Sequence, residues 1–200
     1  MKGKFLWVAA ITVILVLGVT LLASGQSLWH KFGEDDRRGE ESGEQTVIAT
    51  IQGEEYAVNA GFLQTTYSYY QLTPEPHDEA WVKEHFVAQE LLYREAQSYG
   101  LAATPEEVDQ YIAFLRENQN PPEAYDTLSE YLKGRGMTEE EYWQKSWGIY
   151  RKLVSMDKLD DKLSEDYFKQ RPDATVEDYY EYYQNEYRPA LFEKYQVKML

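Results

Sequence analysis

Residues 91–112, LLYREAQSYGLAATPEEVDQYI, admit little besides two helices joined by a tight turn. Gly100 follows a helical run ending at Tyr99 and suits the left-handed position just past a helix C-terminus. Thr104 then offers a hydroxyl cap, Pro105 pre-sets φ at the first helical position, and Glu107 completes a capping box three residues after the cap. Val108, Ile112 and Leu115 continue on one face. The two helices are joined tightly enough to pack against each other.

The flanking sequence repeats this grammar. Thr46–Gln52 alternates Val47, Ala49 and Ile51 against Thr46, Ile48 and Thr50, which fits a short strand, and Tyr56–Val58 returns after a turn at Gly53-Glu54. Asn59 caps a helix over residues 60–72. A longer helix spans residues 78–99, with Asp78 and Glu79 at its positive end. Asn120-Pro-Pro122 breaks the chain before a helix over residues 124–133 that stops at Gly134 or Gly136. Thr138 and Thr175 open further helices by the same capping chemistry. Ser164-Glu-Asp166 is a point where the first of these restarts or kinks, and Pro172 closes it. Pro189 should end or bend the second. Residues 195–200, YQVKML, read as a final strand. The Thr-acidic starts are 34 and 37 residues apart, but capping boxes are generic helix starts and do not establish a repeat array. The expected fold is mainly α: an irregular helical bundle with a small β element made by short amino- and carboxy-terminal strands, behind a single transmembrane helix.

That last element comes from residues 5–23, FLWVAAITVILVLGVTLLA, an uncharged apolar run about 29 Å long as a helix. Lys2 and Lys4 precede it and Trp7 and Trp29 flank it, which places the amino terminus in the cytoplasm and exports the rest. The expected arrangement is a tip and signal-anchor over residues 1–29, an acidic flexible linker over 30–45, and a helical domain over 46–200. It puts the chain in a bacterial cell membrane as a single-pass protein, with residues 5–23 in contact with the membrane. The alternative is secretion after signal cleavage near Gly25. The linker is assigned because residues 33–45, GEDDRRGEESGEQ, contain no aliphatic or aromatic side chain with which to offset ordering entropy.

Charge and composition narrow the function. The formal net charge is −15, and every acidic residue lies at or after Glu34, so nucleic acid is not an expected partner. Absence of cysteine excludes disulfides, thiol catalysis and a lipid-modified cysteine anchor. His30, His77 and His85 stand in no metal-ligand spacing, and there is no phosphate-cradling glycine loop or nucleophile elbow. No catalytic, cofactor-binding or metal site is expected, and no cofactor. Aromatic residues remain: 18 tyrosines, 7 phenylalanines and 5 tryptophans exceed what a domain of this size can bury completely. Some should line an exposed surface that binds apolar polypeptide. The candidates are Phe62, Tyr69, Trp81, Phe86, Tyr93, Trp143, Trp147 and Tyr150.

Four stretches taken together resemble one family. VIATIQGEEYAVNAGF is similar to the "V-A-x-V-N-G-x-x-I" start of the SurA/PrsA-like chaperone amino-terminal domain. LLYREAQSYGLAATPEEVDQYI resembles its helix hairpin, LKGRGMTEEEYWQKS its "G-[ML]-T-E-E-E-[FY]" segment, and TVEDYYEYYQNEY its later "Y-Y-x-x-N" helix. The resemblance covers residues 46–195. It implies an extracytoplasmic, ATP-independent folding factor whose partners are unfolded or partly folded exported proteins. Family members often continue into a parvulin-type prolyl isomerase domain, but here the chain stops where that domain's first strand would begin. Enzymatic activity is therefore not carried over, and a residual peptidyl-prolyl isomerase is the remotest expectation. The alternative is a dedicated interaction or assembly module with the same fold.

Overall fold

The computed structural model describes residues 27–118 and 122–200. Helix α1 (Leu28–Ser42) leads into the hairpin of β1 (Gln45–Ile51) and β2 (Glu54–Asn59). Then come α2 (Ala60–Tyr70), α3 (Glu79–Ser98), α4 (Pro105–Glu117), α5 (Pro122–Arg135) and the 32-residue α6 (Glu139–Gln170). The chain closes with α7 (Val176–Tyr182), a π-helical turn (Tyr183–Tyr187), α8 (Arg188–Lys194) and β3 (Lys198–Met199). The three strands form one antiparallel sheet in the order β2-β1-β3, so both ends of the domain meet in it.

Local chemistry explains most of these boundaries. Asn59 and Asp78 accept the amides of Phe62 and Trp81 at 2.9 and 2.8 Å. Thr104, Thr138 and Thr175 each form a reciprocal capping box, with Glu107, Glu141 and Asp178 returning a carboxylate to the cap amide. The β-hairpin turns on Gln52 and Gly53, at φ 54° and 85°, one residue earlier than the sequence pattern suggests. Two consecutive positive φ angles suit the right-handed twist of the strands. The continuous α6 neither restarts nor breaks at Ser164. Pro189 would press its ring against the carbonyl of Asn185, and the wider π turn that contains Asn185 relieves this clash without ending the helical path.

Three apolar clusters hold the elements together. The first joins Ile48, Ala49 and Ile51 of β1 to Val82, Val87 and Leu91 of α3 and to Leu191 and Tyr195 at the end of the chain. Ile48, Ile51, Val82, Val87 and Leu91 are fully buried, each stabilising the fold by about 1.5–3 kcal/mol relative to exposure. A β-bulge at Ile48 interrupts the strand pairing, so Ile48 and Ala49 are both buried while Val47 is only half-buried. Strict alternation of Val47, Ala49 and Ile51 is thereby corrected. The second cluster packs α4 and α5 on α6 through Val108, Ile112, Leu128, Leu132, Trp143 and Tyr150. Ser155 ties the 91–112 hairpin to it by accepting the Ala103 amide at 2.9 Å. The third seats Trp29 and Phe32 of α1 on Tyr69 of α2.

Two expectations require correction. Residues 30–45 are not a flexible linker: most of them form α1, which packs along α5 and across α2. A Cβ at Gly33 would fall on the Tyr131 carbonyl and 2.8 Å from the Arg135 amide, and one at Gly134 would fall on the His30 carbonyl. Gly39 and Gly61 meet in the same way between α1 and α2. Backbone contact, with Asp36 buried against the Tyr131 hydroxyl and 3.6 Å from Arg135, orders a helix that carries few apolar side chains.

The second correction concerns the membrane. The helix expected over residues 5–23, and the cleavage site near Gly25, lie outside the described residues. Among the described residues no helix is long and apolar enough to cross a membrane. Even α6, long enough at 32 residues, carries charged side chains along its whole length. The single-pass membrane protein with a transmembrane helix is therefore not supported. The fold class becomes a mainly helical domain with a small three-stranded antiparallel sheet.

Candidate functional site

The eight candidate aromatics separate by burial. Tyr69, Trp143 and Tyr150 are buried and serve the core. Tyr93 is half-buried and capped by Lys152, whose ammonium lies 5.3 Å from the ring centroid and 2.7 Å from Glu90. Trp147 lies with Trp143 along a shallow groove of about 500 Å³ between α4 and α6. Ile112 also lines the groove, Trp147 donates its indole N–H to Asp109 at 2.9 Å, and Arg116 meets Glu140 at 3.2 Å. The groove is shallow and of mixed character, with Asp109, Arg116 and Glu140 among its lining residues.

Phe62 is exposed, while Trp81 and Phe86 are half-buried against the sheet core beside it. Phe62, in the first turn of α2, is 43% exposed, and its ring meets Phe86 of α3 edge-on at 5.6 Å. Trp81 lies between two histidines, with His77 stacked at 3.7 Å and His85 at 5.0 Å, each tilted only 10° from the indole. Positions 77, 81 and 85 recur every four residues around the start of α3, and that spacing superposes the three rings. Tyr70 of α2 meets all three from the side at 5.0–6.0 Å. The Asp78 cap fixes this register by holding the amide of Trp81 itself. The helix start thus positions the stack, and α2 positions the rings facing it.

The electrostatics of the patch keep it nearly neutral. Burial, aided by Arg188 and His77, pushes the His85 imidazole down to about 4, so it is uncharged at neutral pH and its Nε2 pairs with the Gln89 amide at 3.0 Å. Glu79 and Glu84 at the rim are neutralised by Lys83 at 3.0 Å and Arg188 at 2.8 Å. With both faces of Trp81 covered by imidazoles, a ligand can reach only its edge. The surface offers apolar contact and few hydrogen bonds. Sequence reasoning found Phe62, Trp81 and Phe86 but missed Tyr70, His77 and His85. The i, i+4, i+8 recurrence of His77, Trp81 and His85 was the signal available for two of those three.

The remaining buried polar groups secure the fold. Glu95 accepts Lys194 at 2.7–2.8 Å and the Tyr195 hydroxyl at 2.9 Å, clamping α3 to the end of α8. Asp160 is pushed up by burial and accepts the Tyr179 hydroxyl at 2.6 Å, which joins α6 to α7. Among the described residues no group of His, Asp or Glu is arranged to hold a metal ion. Compared with known proteins, the chain matches no family model, no curated protein and no solved structure.

Proposed function

We propose that the domain binds unfolded polypeptide through the α2–α3 aromatic surface, as a holding factor that works without nucleotide hydrolysis. The observation carrying this reading is the exposed Phe62 ring set edge-on against half-buried Phe86, beside the half-buried Tyr70–His77–Trp81–His85 ring cluster. Rings with apolar bodies and few directional partners favour any apolar segment over water and discriminate little among sequences. A client that folds buries the same groups in its own core, and weak surface contacts then release it. The resemblance to the SurA/PrsA-like domain points the same way. The test is suppression of aggregation of a chemically denatured model protein by the full chain and by its Phe62→Ser/Phe86→Ser variant. We expect suppression by the wild type at several-fold molar excess, and loss of most of it in the variant. Equal suppression by both would remove the patch from the mechanism.

A second reading, a dedicated module for one folded partner, is favoured by the compactness of the patch, since three of the eight candidate aromatics are core residues. It predicts a single stoichiometric complex and no effect on a denatured model protein.

A further inference from the structure

Beside the aromatic patch lies an edge of the sheet that nothing covers among the described residues. β1 is central, and β2 has no strand neighbour on its outer side. The two-residue turn makes Ile51–Glu54 the closing, hydrogen-bonded pair. Bonding alternates from there, so Tyr56 and Val58 face β1. The Ala60 amide, donated to the Glu44 carbonyl at 2.9 Å, confirms the parity. Glu55 and Ala57 therefore turn their backbone N–H and C=O groups outward, and both residues are exposed.

Folded proteins usually blunt such an edge with a bulge, a proline or charges. Here the bulge is on β1, the inner strand, and β2 contains no proline. The only guard is Glu54 and Glu55, which form no ion pair among the described residues. The edge also leads directly to the patch. Tyr56 packs on the same core as Phe86 and Trp81, and Phe62, just beyond the end of β2, touches Phe86.

We propose that the β2 edge accepts an extended, basic segment of polypeptide as a fourth strand. Main-chain hydrogen bonds to Glu55 and Ala57 would hold it, and its cationic side chains would meet Glu55 on the outer face. Its apolar side chains, on the face of Tyr56 and Val58, would run toward Phe62 and Phe86, with Glu54 adding negative charge at the end of the strand. This rests on the reading that the domain takes unfolded segments, and it specifies how: by strand addition, with basic, alternating sequences preferred. A second copy of the chain is the poorer occupant, because two chains each with a formal charge of −15 repel and would bring the same unpaired glutamates together.

The test uses the full chain and a fluorescein-labelled alternating Lys/Val peptide, read by fluorescence anisotropy. We expect saturable binding that weakens as salt is raised. Methylating the backbone nitrogens on the face of the peptide that pairs should weaken binding about tenfold or more, since each lost main-chain bond is worth close to that factor. Ala57→Pro should do the same while leaving circular dichroism unchanged, because only an outward N–H is removed. The methylated peptide carries the test if that variant fails to fold. An alternating Glu/Val peptide should bind wild type weakly and bind Glu54→Lys/Glu55→Lys better. Equal affinity for the methylated and unmethylated peptides overturns strand addition, as does finding no binding. A wild-type dimer that Ala57→Pro converts to monomer overturns the peptide as occupant. Aggregation suppression that survives Ala57→Pro but not Phe62→Ser/Phe86→Ser would sink strand addition and leave the aromatic reading standing.

Discussion

The sheet core and the α1–α5 contact hold this domain together by opposite means. In the first, Ile48, Ile51, Val82, Val87 and Leu91 exclude water with branched side chains. In the second, Gly33 and Gly134 bring two backbones so close that neither helix has room for a methyl group at the crossing. Asp36, Tyr131 and Arg135 fill the space beside them with a buried polar cluster. The first kind of contact tolerates exchange of one apolar side chain for another of similar volume. The second is indifferent to hydrophobicity and intolerant of volume.

The largest expected effect tests the first region. Leu91→Ala, at a fully buried position, should cost about 3 kcal/mol by lost burial and the cavity left behind, while Leu91→Met should cost less than about 1.5 kcal/mol. Urea unfolding measures both. A Leu91→Ala loss below that of Leu91→Met would show that the sheet core is not the packed unit described.

The glycine contact predicts a reversal of sign. Gly134→Ala should destabilise by about 2 kcal/mol, because its Cβ meets the His30 carbonyl and the helices must separate. Gly148→Ala, the same substitution on an exposed stretch of α6 with no atom within 4 Å, should stabilise by up to about 1 kcal/mol through helix propensity. Amide exchange should localise the first effect to α1. If both variants were stabilised, the close crossing of α1 and α5 would be wrong.

This contrast also explains what the sequence could convey. Asn59, Thr104, Thr138 and Thr175 announced their helix starts, because capping is local chemistry written in adjacent residues. Helix α1 was illegible for the converse reason. Its ordering comes from Gly39, Gly61 and Gly134 approaching across sequence gaps, and a run of glycine and charge otherwise describes a solvated spacer. The bulge at Ile48 was hidden as well, since period-two alternation is how an unbulged strand is recognised. In the candidate site, Phe62, Trp81 and Phe86 were named from the sequence together with Tyr69, Trp143 and Tyr150, because a count of aromatics does not say which of them stay at the surface. Which aromatics stay wet depends on tertiary neighbours, so Tyr69, Trp143 and Tyr150 could not be told apart from them.

The smallest expected effects are those of pH, and they too divide between regions. Burial, opposed only in part by Tyr131 and Arg135, raises the Asp36 carboxyl in the folded chain above its ordinary range. The folded state then holds that proton more tightly than the unfolded state. Asp36 contributes most stability below the ordinary aspartate range, and the contribution is lost as pH rises through the raised folded value. Glu107 has the reverse sign. Lys158 and the Thr104 cap lower it, so its contribution is present above the ordinary glutamate range and is lost as pH falls through the depressed folded value. Urea midpoints measured from neutral pH into the acid range should separate the two. Asp36→Asn should remove a gain that appears on acidification, so that its stability relative to wild type worsens as pH falls. Glu107→Gln should remove a loss, so that its relative stability improves over the same descent. Parallel curves for Asp36→Asn and wild type would mean that Asp36 titrates as an exposed carboxylate does. The α1–α5 contact would then be open to water, which the backbone crossing at Gly33 and Gly134 does not allow.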